Sequence, residues 1–375
     1  MKGNAPRLLW LTKGLGRGGA ERLIVDFASL IDRDRFDIEV AYVLAEKDAL
    51  VPELTAAAVP VHCLNPASSK DLSWVLNLRR LVSERRFELI HTHAPLPAAA
   101  ARVVLTQPRP KLVHTEHNLW TRYRRATYWA NAITYSRNDH VLAVSKAVAA
   151  SIDPRRARRR GLPMHIEVLH HGIRLVNAEG DDIQARLRAR LQLQLPVDAP
   201  VVGTVGNLTA KKDHGCLLHA FQLLSLRWPS AWLVIVGAGV LEEQLRRQAD
   251  SLGVSERTTF TGSRGDVAAL LPAFDVFALT SRFEGLPIAL LEAMAAGLPS
   301  VVTPIGGIAE VLTEGVEGWF APVGDPTAFA GKLDQLFSDV AGRRAMGAAA
   351  RLRAKDFDIG PAIRRVEQIY DEVLR

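Results

Sequence analysis

The chain has 375 residues, 48% hydrophobic and 23% charged, a composition that indicates a globular protein of two ordinary domains and excludes a disordered one. Its formal net charge of +7 favours an anionic partner. Nucleic acid is not expected, because the sequence has no zinc-finger spacing, no aromatic RNA-binding strand and no basic region followed by heptads. Cys63 and Cys216 are far apart and no apolar run reaches the roughly 18 to 20 residues that span a bilayer, so a cytoplasmic protein without disulfide or zinc site is expected.

Short apolar runs alternate with longer amphipathic stretches, a pattern typical of parallel α/β architecture. A first set of strands is predicted at Leu8–Thr12, Ile38–Val43, Leu89–Thr92, Lys111–Thr115, His140–Val144 and Ile166–Leu169. A second set is predicted at Val201–Val205, Trp232–Val236, Thr258–Thr261, Val276–Ala278 and Ser300–Val302. The intervening stretch loses β character, so the domain boundary is predicted near residues 172–198.

A glycine-rich loop, Gly14-Leu15-Gly16-Arg17-Gly18-Gly19, follows the first predicted strand and opens a helix. Its G-x-G-x-x-G spacing is that of a dinucleotide-binding turn. A nicotinamide enzyme also needs an acidic residue at the end of the second strand, and Glu46 comes late for that position. An NAD(P)-dependent oxidoreductase and a plain tight turn both remain alternatives on this loop alone.

Histidines stand at the carboxyl ends of two predicted strands, His91 and His93 after one and His117 after the next. Crevices form at that edge of a parallel sheet, which favours a site, and the alternative is a loop or core histidine. The His-x-His spacing also suits a metal ion, but no third ligand is evident and no metal is expected.

Basic residues are concentrated in Arg155–Arg160 and Arg122–Arg125. These runs predict attraction to an anionic membrane or a phosphorylated acceptor, with a solvated helix face as the alternative. Tyr128 and Trp129 are expected to pack in the core. Asp32 and Asp34 are interpreted as a solvated turn rather than a metal-nucleotide motif.

Two glutamates, Glu284 and Glu292, lie eight residues apart around a predicted helix start. Pro287 suits the first helical position, where its missing N–H is no loss, and Gly297 ends the helix. The backbone N–H groups of the first turn attract an anion. An anion seat between two carboxylates that can bind hydroxyls predicts a sugar nucleotide site, and Gly285, Leu286 and Ile288 are the predicted amide donors.

The stretch from Ser281 to Pro299 resembles the E-x7-E motif of the family 4 retaining glycosyltransferases. A second block matches the same family in order and spacing: Gly306-Gly307-Ile308-Ala309-Glu310, Glu317-Gly318-Trp319 and Pro322-Val323-Gly324-Asp325. The similarity extends through nearly the whole chain.

The resemblance implies the GT-B fold, with two Rossmann-like parallel-sheet domains that face a central cleft. Residues 1–175, joined by a returning C-terminal helix at 358–375, are expected to bind the acceptor. Residues 176–357 are expected to contain the linker and the nucleotide-sugar-binding domain.

The family's site residues transfer to this chain position by position. Glu292 is expected to bind the ribose hydroxyls, and Glu284, with the backbone of Gly285, Leu286 and Pro287, the sugar and β-phosphate. Lys212 is expected to neutralise the leaving diphosphate and His117 to bind a sugar hydroxyl. Gly18 and Gly19 belong to the loop that approaches the donor diphosphate or the acceptor.

One position departs from the family's pattern. The loop Gly206–His214 carries Asn207 where the family has an arginine, so one charged phosphate contact is missing or is supplied by another residue such as Lys211. Lys211 is alternatively a solvated lysine. Gly237 and Gly239 match a turn near the nucleotide, or serve as a structural turn.

The predicted activity is metal-independent, retaining transfer of a sugar from a nucleotide diphosphate sugar, without a further cofactor, to an unknown acceptor hydroxyl. A bacterial envelope polysaccharide or glycolipid is the favoured product, and a small natural product the alternative. Peripheral contact with an anionic membrane is also expected. The rival predictions are the NAD(P) oxidoreductase, a weakly active partner subunit, and a GT-B epimerase or phosphorylase.

Overall fold

The computed structural model describes residues 5–64, 71–105, 109–153, 165–175 and 183–375. The chain divides into two compact units. Unit 1 comprises Met1–Gly172 and Ile359–Arg375, and unit 2 comprises Ile173–Asp358. Each unit is built around its own parallel β-sheet, so the predicted two-domain α/β architecture is confirmed.

The sheet of unit 1 has seven described strands in the order β3-β2-β1-β4-β5-β6-β7, and every pairing is parallel. The strands are β1 Arg7–Thr12, β2 Asp37–Tyr42, β3 Val61–Cys63, β4 Leu89–Thr92, β5 Lys111–Glu116, β6 His140–Ala143 and β7 Ile166–Val168. The helices are α1 Gly19–Leu30, α2 Val51–Ala56, α3 Trp74–Arg85, α4 Pro95–Val104, α5 Arg125–Thr134, α6 Lys146–Ser151 and the C-terminal helix, numbered α15 below.

Helices cover both faces of this sheet because successive side chains of a strand point to opposite sides. On β1, Leu8 and Trp10 join the core under α1, while Leu9 and Leu11 join the core under α3 and α4. The sheet is therefore buried on both faces, which explains its continuous apolar strands.

The C-terminal helix, α15 Ile359–Leu374, belongs to unit 1. Its Val366, Ile369 and Tyr370 are buried in the same core as α1. Arg365 makes an ion pair of 2.7 Å with Glu167, which follows from the helix lying against the β7 side of the unit. The apolar residues at helical spacing in this segment thus bury one face of α15.

The sheet of unit 2 has the order β10-β9-β8-β11-β12-β13 and is also parallel throughout its described pairs. The strands are β8 Val201–Val205, β9 Trp232–Val236, β10 Thr258–Phe260, β11 Val276–Leu279, β12 Ser300–Val302 and β13 Gly318–Phe320. The helices are α7 Ile183–Gln192, α8 His214–Arg227, α9 Glu242–Ser251, α10 Val267–Leu270, α11 Ile288–Ala295, α12 Ile308–Val311, α13 Pro326–Ser338 and α14 Val340–Ala354.

Each predicted strand is present, with its ends within one residue of the expected positions. Two strands were not predicted, β3 and β13, and both have three residues and lie at the edge of a sheet. β3 reads Val-His-Cys and β13 reads Gly-Trp-Phe, so neither is the run of strand-favouring residues on which the prediction depended. Across the described residues, no helix is both long enough and apolar enough to pass through a bilayer.

Candidate functional site

The loop between β11 and α11 carries the first glutamate of the predicted pair. Pro287 is the residue before the helix, with φ −79° and ψ 111°, and its carbonyl accepts the first bonds, from the amides of Leu290 and Leu291. The expectation that Pro287 occupies the first helical position was therefore wrong by one residue, because its extended ψ cannot continue a helix. The amides of Ile288 and Ala289 lie in the first turn, where no preceding helical carbonyl can accept from them.

Glu284 is buried and lies between two lysines. Lys212 Nζ donates to Glu284 Oε1 at 2.6 Å, and Lys211 Nζ lies 3.0 Å from Glu284 Oε2. Ser281 Oγ donates to Oε1 at 2.7 Å. Lys211 is thus an ion-pair partner of the site rather than a solvated lysine, and Ser281 is a contact that sequence reasoning missed.

The charge state of Glu284 follows from these contacts. Burial alone would raise the pKa of the carboxyl group, but the attraction of Lys212 and then of Lys211, with the hydrogen bonds from Lys212 and Ser281, lowers the pKa to about 2. Glu284 is therefore ionised at neutral pH. The arrangement is a carboxylate that holds two ammonium groups beside the start of α11, and a second anion can recruit the same ammonium groups.

Four hydrogen bonds join the lysine loop, which follows β8 and carries Lys211 and Lys212, to the glutamate loop, which follows β11 and carries Glu284. Thr280 Oγ1 donates to the carbonyl oxygens of Lys212 and Asp213, each at 3.0 Å. The Arg282 amide donates to the Lys211 carbonyl at 2.8 Å, and the Arg282 guanidinium pairs with Asp213 at 2.8 Å. The β8–α8 and β11–α11 loops consequently act as one structure at the carboxyl edge of the sheet.

Glycines allow the neighbouring turns to approach these loops closely. A Cβ at Gly237, where φ is +144°, would lie 2.1 Å from the Gly206 carbonyl oxygen, and a Cβ at Gly239 would lie 2.4 Å from that of Leu208. At Gly306, where φ is +54°, a Cβ would lie 1.9 Å from the Glu284 carbonyl oxygen. The close backbone approach at Gly237 and Gly239 therefore requires glycine at both positions. Gly306, in the second glycine block, packs directly against the backbone of Glu284.

The other donor residues predicted in unit 2 lie on the same two loops and on α11. Gly285 and Leu286 are buried in the loop, and the Gly285 carbonyl accepts from the Gly307 amide at 2.7 Å. Glu292 lies half-buried on α11, one turn after the helix start. Asn207 is exposed at the end of β8, at the start of the lysine loop.

In unit 1, His117 belongs to a row of histidines at the carboxyl edge of the sheet. Its Nε2 lies 3.4 Å from Nδ1 of His93, and its ring stacks on that of His171 with centroids 6.4 Å apart. The His91 and His93 rings are 4.2 Å apart. His91 is buried and bonds Tyr370 at 2.5 Å and Thr115 at 2.7 Å, so it serves the packing of α15 rather than a site.

His93 and His117 are electrically neutral at pH 7. Burial, and then the nearby histidines His93, His171 and His114, lower the pKa of His117 well below 6.5. Burial likewise lowers the pKa of His93, whose Nε2 has no hydrogen-bond partner among the described residues. A neutral imidazole can donate one hydrogen bond and accept another. No group of three metal-ligating side chains is found in the described parts of the chain.

The first glycine loop precedes α1. Gly18 is the extended residue that caps α1, Gly19 begins it, and a Cβ at Gly18 would lie 2.2 Å from Glu21 Oε2. Glu46, the late acidic candidate for a nicotinamide ribose, is exposed four residues beyond β2. The loop therefore lacks the acidic partner that a nicotinamide site places at the end of the second strand.

The remaining polar predictions have mixed outcomes. Trp129 is 47% exposed, so the expected core packing was wrong for this residue, because α5 turns that position to the solvent. Tyr128 is half-buried and bonds Asp153 at 2.9 Å. Asp32 accepts from the Asp34 amide at 3.0 Å in an exposed turn, as predicted. The arginine run at residues 155–160 lies outside the described residues.

Two family models match the chain. Residues 17–176 match the model described as Glycosyltransferase Family 4, and residues 186–353 match the model described as Glycosyl transferases group 1. The two matches follow one another along the chain. The first includes the histidine row, and the second includes Lys211, Lys212 and Glu284, which are called the lysine–glutamate centre below.

Curated relatives and solved structures resemble the chain over most of its length. The putative glycosyltransferase EpsD of Bacillus subtilis is 26% identical over 84% of each chain. The UDP-Gal:alpha-D-GlcNAc-diphosphoundecaprenol alpha-1,3-galactosyltransferase of Escherichia coli is 24% identical, over 86% of this chain and 85% of its own. The structure of Anabaena Alr3699/HepE in complex with UDP-glucose has a TM-score of 0.82 at 22% identity, and the match covers 98% of this chain and 99% of that one. At that identity the structural likeness shows the fold.

Proposed function

Because the chain belongs to the glycosyltransferases that these group 1 and family 4 models describe, we propose that it takes its sugar from a nucleoside diphosphate sugar and retains the anomeric configuration. The observation that carries this proposal is the lysine–glutamate centre of unit 2. It combines two ammonium groups, a buried carboxylate and the free amides of a helix start within two fastened loops. Diphosphate binding needs those positive groups.

Each residue then has a distinct task. Lys212 and Lys211 neutralise the diphosphate, and the amides of Leu286 and Ile288 contact its β-phosphate. Glu284 holds the lysines before the donor binds and then binds sugar hydroxyls. Glu292, one turn into α11, binds the ribose hydroxyls. In unit 1, His117 donates or accepts one hydrogen bond to the sugar as a neutral imidazole.

The proposed reaction breaks the bond between the sugar anomeric carbon and the β-phosphate oxygen. The acceptor hydroxyl forms the new bond on the same face, and its proton passes to the departing phosphate oxygen. Positioning and fixed positive charge supply the catalysis. We propose that the two lysines provide the charge compensation for which a divalent cation is otherwise needed, so that activity persists when divalent cations are chelated.

The proposed donor nucleotide is UDP and the proposed acceptor is lipid-linked. The E. coli relative is named for a UDP-Gal donor and a diphosphoundecaprenol acceptor, and the HepE structure contains UDP-glucose. These names support UDP sugars as the first donors to test and an envelope polysaccharide as the product class.

A thermal-shift screen against UDP, GDP, ADP, dTDP and NAD(P)H tests the donor assignment. A ligand that binds only the folded state raises the melting temperature. We expect one nucleoside diphosphate, UDP first, to raise it and NAD(P)H to leave it unchanged. A shift with NAD(P)H alone, or with none of the diphosphates, would contradict the proposal and return the glycine loop of unit 1 to the oxidoreductase alternative.

A further inference from the structure

The outer side of helices α4 and α5 in unit 1 exposes large apolar side chains. Trp129 and Ile133, one turn apart on α5, are 47% and 45% exposed. Leu96 and Val103, seven residues apart on α4, are 44% and 56% exposed. Residues at these spacings lie on one side of a helix. Each helix therefore has an apolar stripe that is about half exposed to solvent.

The two stripes belong to one helical layer. Helix α4 connects β4 to β5 and α5 follows β5 toward β6, and right-handed connections of consecutive parallel strands place both helices on the same face of the sheet. The helices also bond directly: buried Arg102 Nη1 donates to Asn131 Oδ1 at 2.8 Å, and Asn131 Nδ2 donates to the Pro95 carbonyl at 3.2 Å. The outer faces of α4 and α5, which point away from the sheet, therefore form one continuous surface.

The charged side chains of the α4–α5 layer are all positive. Arg124 and Arg125 at the start of α5 and Arg137 just beyond its end are exposed, and among the described residues none of the three has a carboxylate partner. The segments 95–104 and 120–137 contain no Asp or Glu. On α9, by contrast, Arg246 and Arg247 pair with glutamates of their own helix. The arginines of α5 are thus available to an external anion.

We propose that this α4–α5 surface docks on an anionic lipid bilayer, with the arginines at the phosphate headgroups and the apolar stripes below them. The surface is defined by Leu96, Val103, Arg124, Arg125, Trp129 and Ile133. A tryptophan flanked by arginines is suited to the boundary between headgroups and acyl chains. Unpaired positive charge selects a bilayer that contains acidic lipids. Docking does not depend on which sugar the enzyme transfers.

Vesicle co-sedimentation of the full chain tests the proposal. Phosphatidylglycerol-containing vesicles should bind the protein and pure phosphatidylcholine vesicles should bind it far less. Each arginine near an anionic surface strengthens binding roughly fivefold, so the Arg124→Gln/Arg125→Gln variant should bind on the order of 25-fold more weakly. The Trp129→Gln/Ile133→Gln variant should lose about tenfold through the apolar contacts.

Matched controls remove the same groups from unit 2. Arg246→Gln/Arg247→Gln removes the same charge from paired arginines, and Leu191→Gln/Leu226→Gln removes apolar side chains that are 80% and 81% exposed. Both controls should bind like the wild type. A fluorescence test keeps the apolar contact. Lipids with brominated acyl chains should quench the tryptophan fluorescence of the wild type more strongly than that of Trp129→Phe.

Three results would overturn the proposal. One is equal binding to both kinds of vesicle. Another is an equal loss of binding in the control variants, which would assign the effect to net charge. The third is light scattering that shows a dimer dissolved by Trp129→Gln/Ile133→Gln while vesicle binding persists, which would assign the surface to a second copy of the chain. Transfer to a water-soluble acceptor should be unchanged in the surface variants, so a failure of docking is distinguishable from a failure of the proposed activity.

Discussion

Lys212 Nζ lies 2.6 Å from Glu284 Oε1, although the two residues are 72 positions apart in the chain. The pair joins the loop after β8 to the loop after β11, and Lys211 binds the other oxygen of the same carboxylate. In the proposed mechanism, a nucleoside diphosphate that enters this centre competes with Glu284 for the two ammonium groups. Glu284 would then hold the lysines in place before the donor binds and bind a sugar hydroxyl once they turn to the phosphates.

The first prediction concerns Lys212. Its replacement by Met keeps the stem of the side chain and removes the charge that, in the proposed mechanism, stabilises the leaving diphosphate. We expect kcat to fall on the order of 100-fold or more, as for other fixed transition-state donors. The fold should persist, because Lys211 still pairs with Glu284. Steady-state kinetics with circular dichroism measures both quantities, and near-normal turnover would remove Lys212 from the site.

The second prediction concerns stability in acid. The folded-state pKa of Glu284, about 2, is below its ordinary 4.5, so its contribution to stability is complete above pH 4.5 and is lost as the pH falls toward 2. The difference between these two pKa values corresponds to about 3 kcal/mol of folding stability, which is lost between pH 4.5 and pH 2. Urea unfolding between pH 5 and pH 2 should show a shallower loss of stability in Glu284→Gln than in the wild type. Parallel curves for the two proteins would contradict the assignment.

The third prediction compares two glycines that both adopt the left-handed backbone conformation. Gly306 and Gly324 have φ of +54° and +73°, but only a Cβ at Gly306 has a close neighbour, the Glu284 carbonyl oxygen at 1.9 Å. Gly324→Ala should cost about 1 kcal/mol from backbone strain alone. Gly306→Ala should cost more and also weaken diphosphate binding, because it displaces the glutamate loop. Calorimetric titration of UDP into both variants measures the diphosphate affinity. Equal affinities in the two variants would show that Gly306 does not support the glutamate loop.

The fourth prediction concerns His93, which we assign as a positioning residue for His117. The two rings meet at 3.4 Å, and a neutral pair needs one donor and one acceptor. His93→Asn keeps a polar group near the position of Nδ1, whereas His93→Ala removes it. We expect about a tenfold loss of kcat/KM in the Ala variant, the value of one hydrogen bond, and partial recovery in the Asn variant.

A spectroscopic readout separates positioning from packing at His93. Nitrogen NMR should show a defined His117 tautomer in the wild type and the Asn variant, and a mixture in the Ala variant. Equal losses of activity in Asn and Ala with an unchanged His117 spectrum would instead assign His93 a packing role.

The fifth prediction addresses the departure at Asn207. This residue is exposed at the start of the lysine loop and carries no charge. Asn207→Arg should tighten diphosphate binding roughly tenfold if the added guanidinium reaches the phosphates, since bonds to charged groups contribute about 1.5 to 3 kcal/mol. Titration with UDP measures the gain. Asn207→Gln is the neutral control and should leave the affinity unchanged.

Much of the fold and part of the site follow from the sequence. The apolar run that forms β9 is five residues long and predicts its strand to the residue, because buried parallel strands carry continuous apolar side chains. The edge strands β3 and β13 contain His62 and Gly318 in place of a continuous strand-favouring run, and they were missed. The glutamate pair was found through its spacing around a helix start, a local property of the chain, and Lys212 was found through the resemblance of its loop to the family's loop.

The contacts between distant loops were not predictable in the same way. Lys211 and Lys212 are adjacent, and nothing in their local sequence shows that both reach Glu284, because that contact depends on how the β8 and β11 loops meet. Ser281 gave no signal either, since a serine near a turn has many ordinary roles. The exposure of Trp129 is likewise set by the direction in which α5 packs.

The most direct test of the central claim is calorimetric titration of UDP into the wild type and into the Lys211→Met/Lys212→Met variant, with Arg246→Gln/Arg247→Gln as the charge-matched control. We predict that affinity falls on the order of 100-fold or more in the lysine variant and is unchanged in the control. Equal affinity in all three proteins would contradict the assignment of the lysine–glutamate centre as the diphosphate site.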